Sequence, residues 1–132
     1  MLLEFPVKTQ SKAEFIDITS EVAEKVRQSG AQDGLCVVYV PHTTAGITIN
    51  ENADPSVRRD ILAILEKMAP ESASYSHTEG NSPGHIKASL IGSSATLAID
   101  KGTLVLGTWQ GIFFCEFDGP RRRHVFVKVC EG

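Results

Sequence analysis

The last third of the chain, from Ala95 onward, is a series of short β-type segments separated by turn residues, and this pattern restricts the fold most strongly. The segments read TLAID, TLVLGTW, IFFCEFD and RRRHVFVKV, with turns at Lys101-Gly102 and Gly119-Pro120 and a break near Gly111. Runs of β-branched and aromatic residues bounded by Gly and Pro are typical of strands, and strands joined in succession by tight turns favour an antiparallel meander. This third of the chain therefore predicts antiparallel sheet.

The first two thirds add three more extended segments, LLEFPVKT, AEFIDIT and LCVVYV, and a helix from Thr19 to Ser29 that Gly30 ends. A second helix begins after Asp54 as N-cap and Pro55 at the first helical position. Its predicted apolar face consists of Val57, Ile61, Ile64, Leu65 and Met68. A long loop over residues 70 to 84 leads into a short helix from Ser82 through Leu90, stopped by Gly92.

These elements predict an α+β fold, a single domain over residues 1–132 that is mainly antiparallel β-sheet, sandwich-like, with two to three helices. The composition, with 42% hydrophobic and 22% charged residues and a net charge of -3, is that of an ordinary globular protein and gives no support to a general nucleic-acid binder. No apolar segment approaches membrane-spanning length, and MLLEFPVKTQ lacks the features of a signal peptide, so we expect a cytoplasmic protein with no membrane partner. Cys36, Cys115 and Cys130 have no paired spacing, which favours free, buried thiols.

The richest functional stretch is PHTTAGITINENADP, from Pro41 to Pro55. If residues 42 to 50 form a strand, alternation places His42, Thr44 and Asn50 on one polar face. Three polar residues, Glu51, Asn52 and Asp54, then follow at the exit of the strand. Asp54 is accounted for largely by capping, whereas Glu51 is a candidate general base, metal ligand or orienting group, with a solvated surface position as the ordinary alternative.

Three histidines, His42, His77 and His85, lie in polar segments rather than in apolar runs. The last two bracket the segment SHTEGNSPGH, which a folded loop can close around one ion. Three imidazoles with an open position are a catalytic zinc pattern, although this spacing matches no standard motif. The alternative is that His77 hydrogen-bonds within a loop and His85 occupies a first helical turn.

Two further segments carry candidate binding groups. Alternation sends Arg121 and Arg123 toward the core side of the last strand, where they can clamp a phosphate or carboxylate or form ion pairs. Trp109 can stack on a planar ligand or fill the core, which is the commoner fate, and Gln110 offers a donor and an acceptor. Ser93 and Ser94 follow Gly92 in a turn that can hold an anion or serve only as a turn.

Several sequence motifs occur together in a consistent order: HTTAGITINENADPSVRRD, YSH, GHIKASLIGSS and GTLVLGTWQGIFFCEFDGPRRR. In these motifs the chain resembles the YjbQ family, a group sometimes labelled secondary thiamine-phosphate synthase. The resemblance implies a compact α+β domain assembled as a homotrimer, with candidate sites near subunit boundaries. The recurring motifs of the family contain the positions His42, Asn50, Glu51, Asn52, Asp54, His77, His85, Trp109, Gln110 and Arg121 of this chain.

The family label implies that an aminopyrimidine diphosphate is joined to a thiazole phosphate with release of diphosphate, so the expected partner is a small phosphorylated metabolite. Such a reaction needs cationic stabilisation of the departing diphosphate, which Arg121, a divalent metal (zinc-like or magnesium) and the hydroxyls of Thr43, Thr44, Ser93 and Ser94 can provide. Trp109 can provide a surface for the heterocycles.

Two other classes stay open. In a metal-dependent hydrolase, His42, His77 and His85 hold the metal and Glu51 activates a bound water. A non-catalytic binding module keeps the pocket and needs no general base. For an enzyme, His42 and Glu51 are the candidate catalytic residues. In every case we expect one site walled by the Pro41–Pro55 tract, the His77–His85 loop and the strands between Gly107 and Arg121.

Overall fold

The computed structural model describes all 132 residues and contains eight strands and three helices. In chain order these are β1 (Leu2–Lys8), β2 (Glu14–Asp17), α1 (Thr19–Ser29), β3 (Asp33–Tyr39), β4 (Ala45–Glu51), α2 (Pro55–Met68), α3 (Ser82–Ile91), β5 (Ser94–Asp100), β6 (Thr103–Leu104), β7 (Gln110–Glu116) and β8 (Arg122–Glu131). The α+β class with antiparallel sheets is confirmed. No helix is both long and apolar enough to cross a membrane.

The strands form two antiparallel sheets. The larger sheet has the order β1-β8-β3-β5-β6, and the smaller has the order β2-β7-β4. The predicted meander is therefore wrong beyond the β5–β6 hairpin, because β7 joins the small sheet and β8 the large one. The segment TLVLGTW is also mostly not strand, since only Thr103–Leu104 pairs with β5.

The molecule has three layers, and the small sheet is the middle one. Between the two sheets lies the main core, to which α1 contributes Val22 and Val26. On its other face the small sheet packs against α2 and α3 through a second core. That second core consists of Phe15, Leu65, Ala88, Phe113, Cys115 and Phe117.

β7 is the strand that joins the layers, because both of its faces are buried. Ile112 and Phe114 belong to the core between the sheets, whereas Phe113 and Cys115 belong to the core under the helices. This arrangement explains the unbroken apolar run in the sequence, since a strand covered on both sides has no polar face.

Several local predictions are confirmed. α1 has the predicted bounds, and Gly30 ends it in the left-handed conformation with a φ of 73°. Asp54 caps α2 by accepting a hydrogen bond from the Ser56 N–H, with Pro55 in the first turn.

The predicted apolar face of α2 is only partly correct. The helix packs through Leu65, with Ile61 and Leu62 beside it, whereas Ile64 and Met68 are exposed. The face of α2 that packs against the core is therefore rotated about the helix axis relative to the predicted face. Leu62 belongs to it, whereas Ile64 and Met68 do not. Among the cysteines, Cys36 and Cys115 are free and buried as expected, but Cys130 is exposed at the end of β8.

Candidate functional site

A polar cleft lies where the β3–β4 connection, the loop before α3 and the β7–β8 turn meet. It has a volume of about 490 Å³. We call it the histidine cleft, and it is lined by Pro41, His42, Thr43, Thr44, His77, Glu79, Asn81, His85, Arg121 and Arg123. The three histidines singled out in the sequence therefore do lie around one cavity.

His77 and His85 are the closest pair in the cleft. Their ring centroids are 5.3 Å apart and the rings are nearly perpendicular, at 87°. α3 begins at Ser82, so His85 lies in its first turn, whereas His77 lies in the preceding loop. The Nε2 atom of His77 is 3.8 Å from a carboxylate oxygen of Glu79.

His42 occupies the wall formed by the β3–β4 connection, and its environment fixes its protonation. Its Nε2 accepts a hydrogen bond from the backbone N–H of His124, at 2.9 Å. Burial and then the positive charge of Arg123 lower the pKa of His42 below its ordinary value. The ring is therefore neutral at pH 7, and since Nε2 is an acceptor, its Nδ1 carries the proton and is a donor.

These contacts bear on whether the cleft fits a metal ion. No group of three or more His, Cys, Asp or Glu side chains is arranged to hold one. The Nε2 lone pair of His42 is already occupied by the His124 N–H, so this nitrogen is not available as a ligand. The donor set in this arrangement does not fit a three-histidine metal centre, and metal binding by His42, His77 and His85 stays a prediction.

A buried ion pair lies behind the cleft and supports its wall. Arg123 of β8 pairs with Glu116 of β7 through both guanidinium and carboxylate arms. The same guanidinium donates to the hydroxyl and carbonyl oxygens of Thr44, at 2.9 and 3.3 Å. Glu116 also accepts from the hydroxyl of Thr9, at 2.8 Å. The start of β4, and with it the His42–Thr44 segment, is thus fixed to both sheets.

Asp118 forms a second set of contacts, on the β7–β8 turn. It accepts from Lys12 at 2.8 Å, Asn81 at 3.0 Å and Arg121 at 3.0 Å. Burial alone raises the pKa of this carboxyl, but the contacts with Lys12, Asn81 and Arg121 outweigh it and the net shift is downward. The side-chain oxygen of Asn81 is buried and has no hydrogen-bond partner within the chain. The cleft therefore offers one unmatched acceptor among many donors.

The other predicted anion-binding groups are divided between two surfaces. Ser93 lies beside His42, Thr43 and His85 in an adjoining hollow of about 530 Å³. Ser94 instead begins β5 and lies in an apolar groove with Tyr39 and Phe126 on the outer face of the large sheet.

The remaining predicted residues lie at the opposite end of the small sheet, and the expectation of a single site is wrong within one chain. β4 runs for seven residues from Ala45, next to the cleft, to Glu51. At the usual rise per residue its ends are about 20 Å apart. The far group consists of Asn50, Glu51, Asn52, Asp54, Trp109 and Gln110. The strand also begins at Ala45, not at residue 42, so His42 and Thr44 do not share a strand face with Asn50.

At this far end the polar residues hold the backbone in place. Glu51 accepts a hydrogen bond from the Asp54 N–H at 3.2 Å, so it has a local structural role that the sequence did not reveal. Gln110 accepts from the Gly107 N–H at 2.7 Å. Of the two alternatives for Trp109, core filling is excluded, because 63% of its surface is exposed. Stacking on a planar ligand stays a prediction.

Sequence reasoning missed two residues that line the cleft, Glu79 and Asn81, and one behind it, Asp118. Glu79 and Asn81 belong to the EGNSPG segment between His77 and His85, and Asp118 belongs to the DGPR motif. The signal was their position beside residues already singled out, but nothing in the sequence showed that the two segments meet.

The chain is similar to known proteins over almost its whole length. The family described as "UPF0047 protein YjbQ-like" matches residues 3–132. The UPF0047 protein MJ1081 of Methanocaldococcus jannaschii is 54% identical, over 98% of this chain and 94% of the relative. The UPF0047 protein YugU of Bacillus subtilis is 48% identical, over 98% of each.

Solved structures give the same result. An uncharacterised conserved protein of the YjbQ/UPF0047 family from Clostridium acetobutylicum is 59% identical and has a TM-score of 0.95, covering 97% of this chain and 99% of that one. A protein of unknown function from Sulfolobus solfataricus, described as YbjQ-like, is 34% identical and has a TM-score of 0.96, covering 100% and 97%.

Proposed function

Since the chain belongs to the UPF0047 (YjbQ-like) family, whose function is unknown, we propose that its histidine cleft binds the phosphate groups of a small phosphorylated metabolite. We propose further that the bound metabolite reacts as in secondary thiamine-phosphate synthesis. In that reaction an aminopyrimidine diphosphate is joined to a thiazole phosphate and diphosphate leaves.

The observation that carries this proposal is the chemistry of the cleft lining. His42, His77, His85, Arg121 and Arg123 all line it, Pro41 is its only non-polar side chain, and Glu79 is its only carboxylate. Half of the Arg121 side-chain surface is exposed, so its guanidinium is accessible to a ligand. Imidazole and guanidinium donors around one cavity of this size suit a phosphate or diphosphate.

In the proposed reaction the ring nitrogen of the thiazole attacks the methylene carbon that carries the diphosphate. The carbon–oxygen bond breaks and its electron pair leaves with the diphosphate. The requirement on the protein is to stabilise charge on the departing oxygens, which donors held in fixed positions do best. Arg121, anchored to Asp118, and the Nδ1 proton of His42 are the groups we assign to this task.

A non-catalytic binding module is the second candidate, and one observation favours it. Glu51, the predicted general base, is about 20 Å from the cleft along β4 in the same chain. The carboxylates behind the cleft, Glu116 and Asp118, are paired with cations. A hydrolase that uses Glu51 to activate water has no support from this placement, whereas ligand binding alone needs no base.

We also propose that the chain assembles as a homotrimer through the outer face of the large sheet. No helix covers this face, and its groove of about 510 Å³ is lined by Leu2, Val37, Tyr39, Ser94, Phe126 and Lys128. Tyr39 and Phe126 stack there with ring centroids 6.4 Å apart. Exposed apolar patches of this kind commonly mark protein interfaces. Light scattering on the purified protein measures the mass directly, and a monomer at micromolar concentration excludes the trimer.

The test of the proposed function combines binding and turnover. Inorganic diphosphate is titrated into wild type, His77→Ala and the surface control Asp60→Asn, which makes no side-chain hydrogen bond. We expect the His77 variant to bind at least tenfold more weakly and the control to match wild type. Thiamine phosphate formed from the two authentic precursors is then measured by chromatography, with and without added Zn²⁺ or Mg²⁺ after chelation.

The outcomes separate the candidates. Product formed by wild type and lost in His77→Ala supports the synthase reaction. Diphosphate binding without product supports the binding module, and Glu51→Gln retaining full activity removes the carboxylate-based hydrolase. If diphosphate binds equally to wild type and His77→Ala, the cleft is not the phosphate site and the proposal fails. Activity that requires added metal would instead support the prediction that His42, His77 and His85 bind a metal ion.

A further inference from the structure

A second cationic hollow lies outside the histidine cleft, at the end of the β1–β8 pair. It has a volume of about 470 Å³ and is lined by Pro6, Lys8, Thr9, Pro120, Arg121 and Arg122. We call it the Lys8–Arg122 notch. Three of its six lining residues are cations and none is acidic, and of these six only Arg121 was predicted from the sequence.

The cations of the notch are placed against each other by the strand register. Lys8 is the direct partner of Arg122 in the antiparallel β1–β8 ladder, so both side chains leave the same face of the sheet. Both residues are exposed, and neither side chain makes a hydrogen bond or ion pair within the chain. Like charges directly opposite one another repel, and this fold provides no carboxylate to offset them.

Arg121 forms the boundary between the notch and the cleft, because it lines both. Its Nε and one terminal nitrogen donate to Asp118, at 2.9 and 3.0 Å, which leaves the other terminal nitrogen without a partner in the chain. Its backbone is held as well, since the Arg121 N–H donates to the Thr9 hydroxyl at 2.8 Å. One wall of the notch is therefore fixed in place before any ligand arrives.

These features together suit one class of ligand. A guanidinium binds phosphate oxygens in pairs, and an ammonium adds a compact point charge beside it. The rings of Pro6 and Pro120 give the notch stiff, non-polar walls. We propose that the Lys8–Arg122 notch is a second anion site, which binds the terminal phosphate of a small phosphorylated metabolite through Lys8 and Arg122.

Nucleic acid does not suit this surface. The chain carries a net charge of -3, and the notch presents three cations without an aromatic side chain on which a base can stack. A carboxylate from a second copy of the chain is the remaining competitor for the same cations, and the experiment distinguishes it.

The test counts sites by isothermal titration of inorganic diphosphate and, separately, of inorganic phosphate. Lys8→Ala/Arg122→Ala is compared with the matched control Arg59→Ala/Lys67→Ala, which removes the same charge from exposed, unpaired positions on α2. We expect wild type and the control to bind with the same stoichiometry. The notch variant should lose one site, or show that site weakened more than tenfold. His77→Ala should leave the notch site unchanged.

A second measurement keeps the proposal open to refutation if either anion binds weakly. Without anion, Lys8→Ala relieves the cross-strand repulsion, so its thermal midpoint should rise slightly. With roughly 10 to 50 mM phosphate, wild type should gain more than the variant relative to sodium chloride of the same ionic strength, which accounts for screening. Equal gains in both proteins, with equal stoichiometry, would overturn the phosphate site. A change in oligomeric mass in the notch variant would also overturn it and assign these cations to a contact between copies.

This test is separate from that of the proposed function. If the notch fails while His77→Ala still weakens diphosphate binding, the cleft proposal stands alone. If the cleft fails while the notch variant still loses a site, the notch is the phosphate site of the protein.

Discussion

Replacing Arg123 with methionine should show how strongly the buried ion pair holds the cleft together. Methionine keeps the unbranched, non-polar part of the side chain, so the change removes the guanidinium while the packing of the stem is retained. What is lost is the pair with Glu116 and two hydrogen bonds to Thr44.

The magnitude follows from what remains around Glu116. Breaking a buried ion pair by removing one partner costs about 3–5 kcal/mol, because the other charge is left uncompensated. Here the stranded carboxylate keeps three donors, the Thr9 hydroxyl and the N–H groups of Phe117 and Asp118. We therefore expect Arg123→Met to cost about 3 kcal/mol, at the lower end. Glu116→Leu should cost about 4 kcal/mol, since it leaves a buried guanidinium without a counter-charge and the Asp118 N–H without an acceptor, whereas the Thr9 hydroxyl and the Phe117 N–H keep the carbonyl oxygens of Arg121 and Thr44.

The assay is urea denaturation at pH 7, followed by circular dichroism, for wild type, both single variants and the double variant. The double variant should cost less than the sum of the two by about 2 kcal/mol, since the stranded charge disappears. Additive effects, or a cost below about 1 kcal/mol for Arg123→Met, would refute the reasoning.

The pH dependence gives an independent check on the same variant. In wild type, burial raises the pKa of Glu116, but the contacts with Arg123, Asp118 N–H and Thr9 hold it below its usual value of 4.5. This stabilisation is present above pH 4.5 and is lost as the pH falls. Without Arg123, the effect of burial on the pKa of Glu116 dominates, and the carboxyl resists ionisation. Ionisation at high pH therefore destabilises the variant, and protonation at low pH removes this destabilisation. The stability difference between the two proteins should therefore shrink from pH 7 to pH 4.5.

Two further outcomes are expected. The lowered pKa of His42 means that the unfolded chain binds a proton more readily near pH 6.5, so unfolding free energy should fall as the pH drops from 7 toward 5. His42→Asn should flatten that slope in urea titrations, and an unchanged slope would contradict the assignment. Gly46→Ala would place a Cβ atom 2.6 Å from the carbonyl oxygen of Gly92, which accepts the Ile47 N–H. We expect a loss of about 1–3 kcal/mol in unfolding free energy, and a variant as stable as wild type would show that this contact yields easily.

The local elements were predictable because their signals are local. Gly30 and the Asp54-Pro55 pair end and begin helices through their own backbone and side-chain chemistry, and the sequence displays both. The unbroken run IFFCEF likewise predicted a strand, since β-branched and aromatic residues fit a buried pleated surface.

The pairing of strands was not predictable in the same way. A tight turn normally joins neighbours in one sheet, yet the turn at Gly119-Pro120 carries the chain from the small sheet to the large one. What decides this is that β7 needs cover on both faces, which depends on α2, α3 and the large sheet together. No window of the sequence contains that information.

The prediction of a single site was wrong for a different reason, and the sequence contained the information needed to correct it. His42 and Glu51 are close in the chain but separated by an extended segment, and extension converts a short sequence distance into about 20 Å. Residues that are neighbours in a motif are neighbours in space only when the backbone between them turns. The His77–His85 pair meets this condition, since α3 begins between them and their rings lie 5.3 Å apart.

The burial of β7 on both faces also limits where this protein can change. Every residue from Gly111 to Asp118 is buried, so Gln110 at the start of β7 is the one exposed residue of this strand. Its amide protons should exchange with solvent only through global unfolding, which makes the strand the slowest-exchanging part of the molecule. A middle layer of this kind serves as a fixed spacer. The residues at its two ends, in the histidine cleft and in the far group with Glu51 and Trp109, are free to diverge independently, because the rigid strand between them does not transmit a local change in structure.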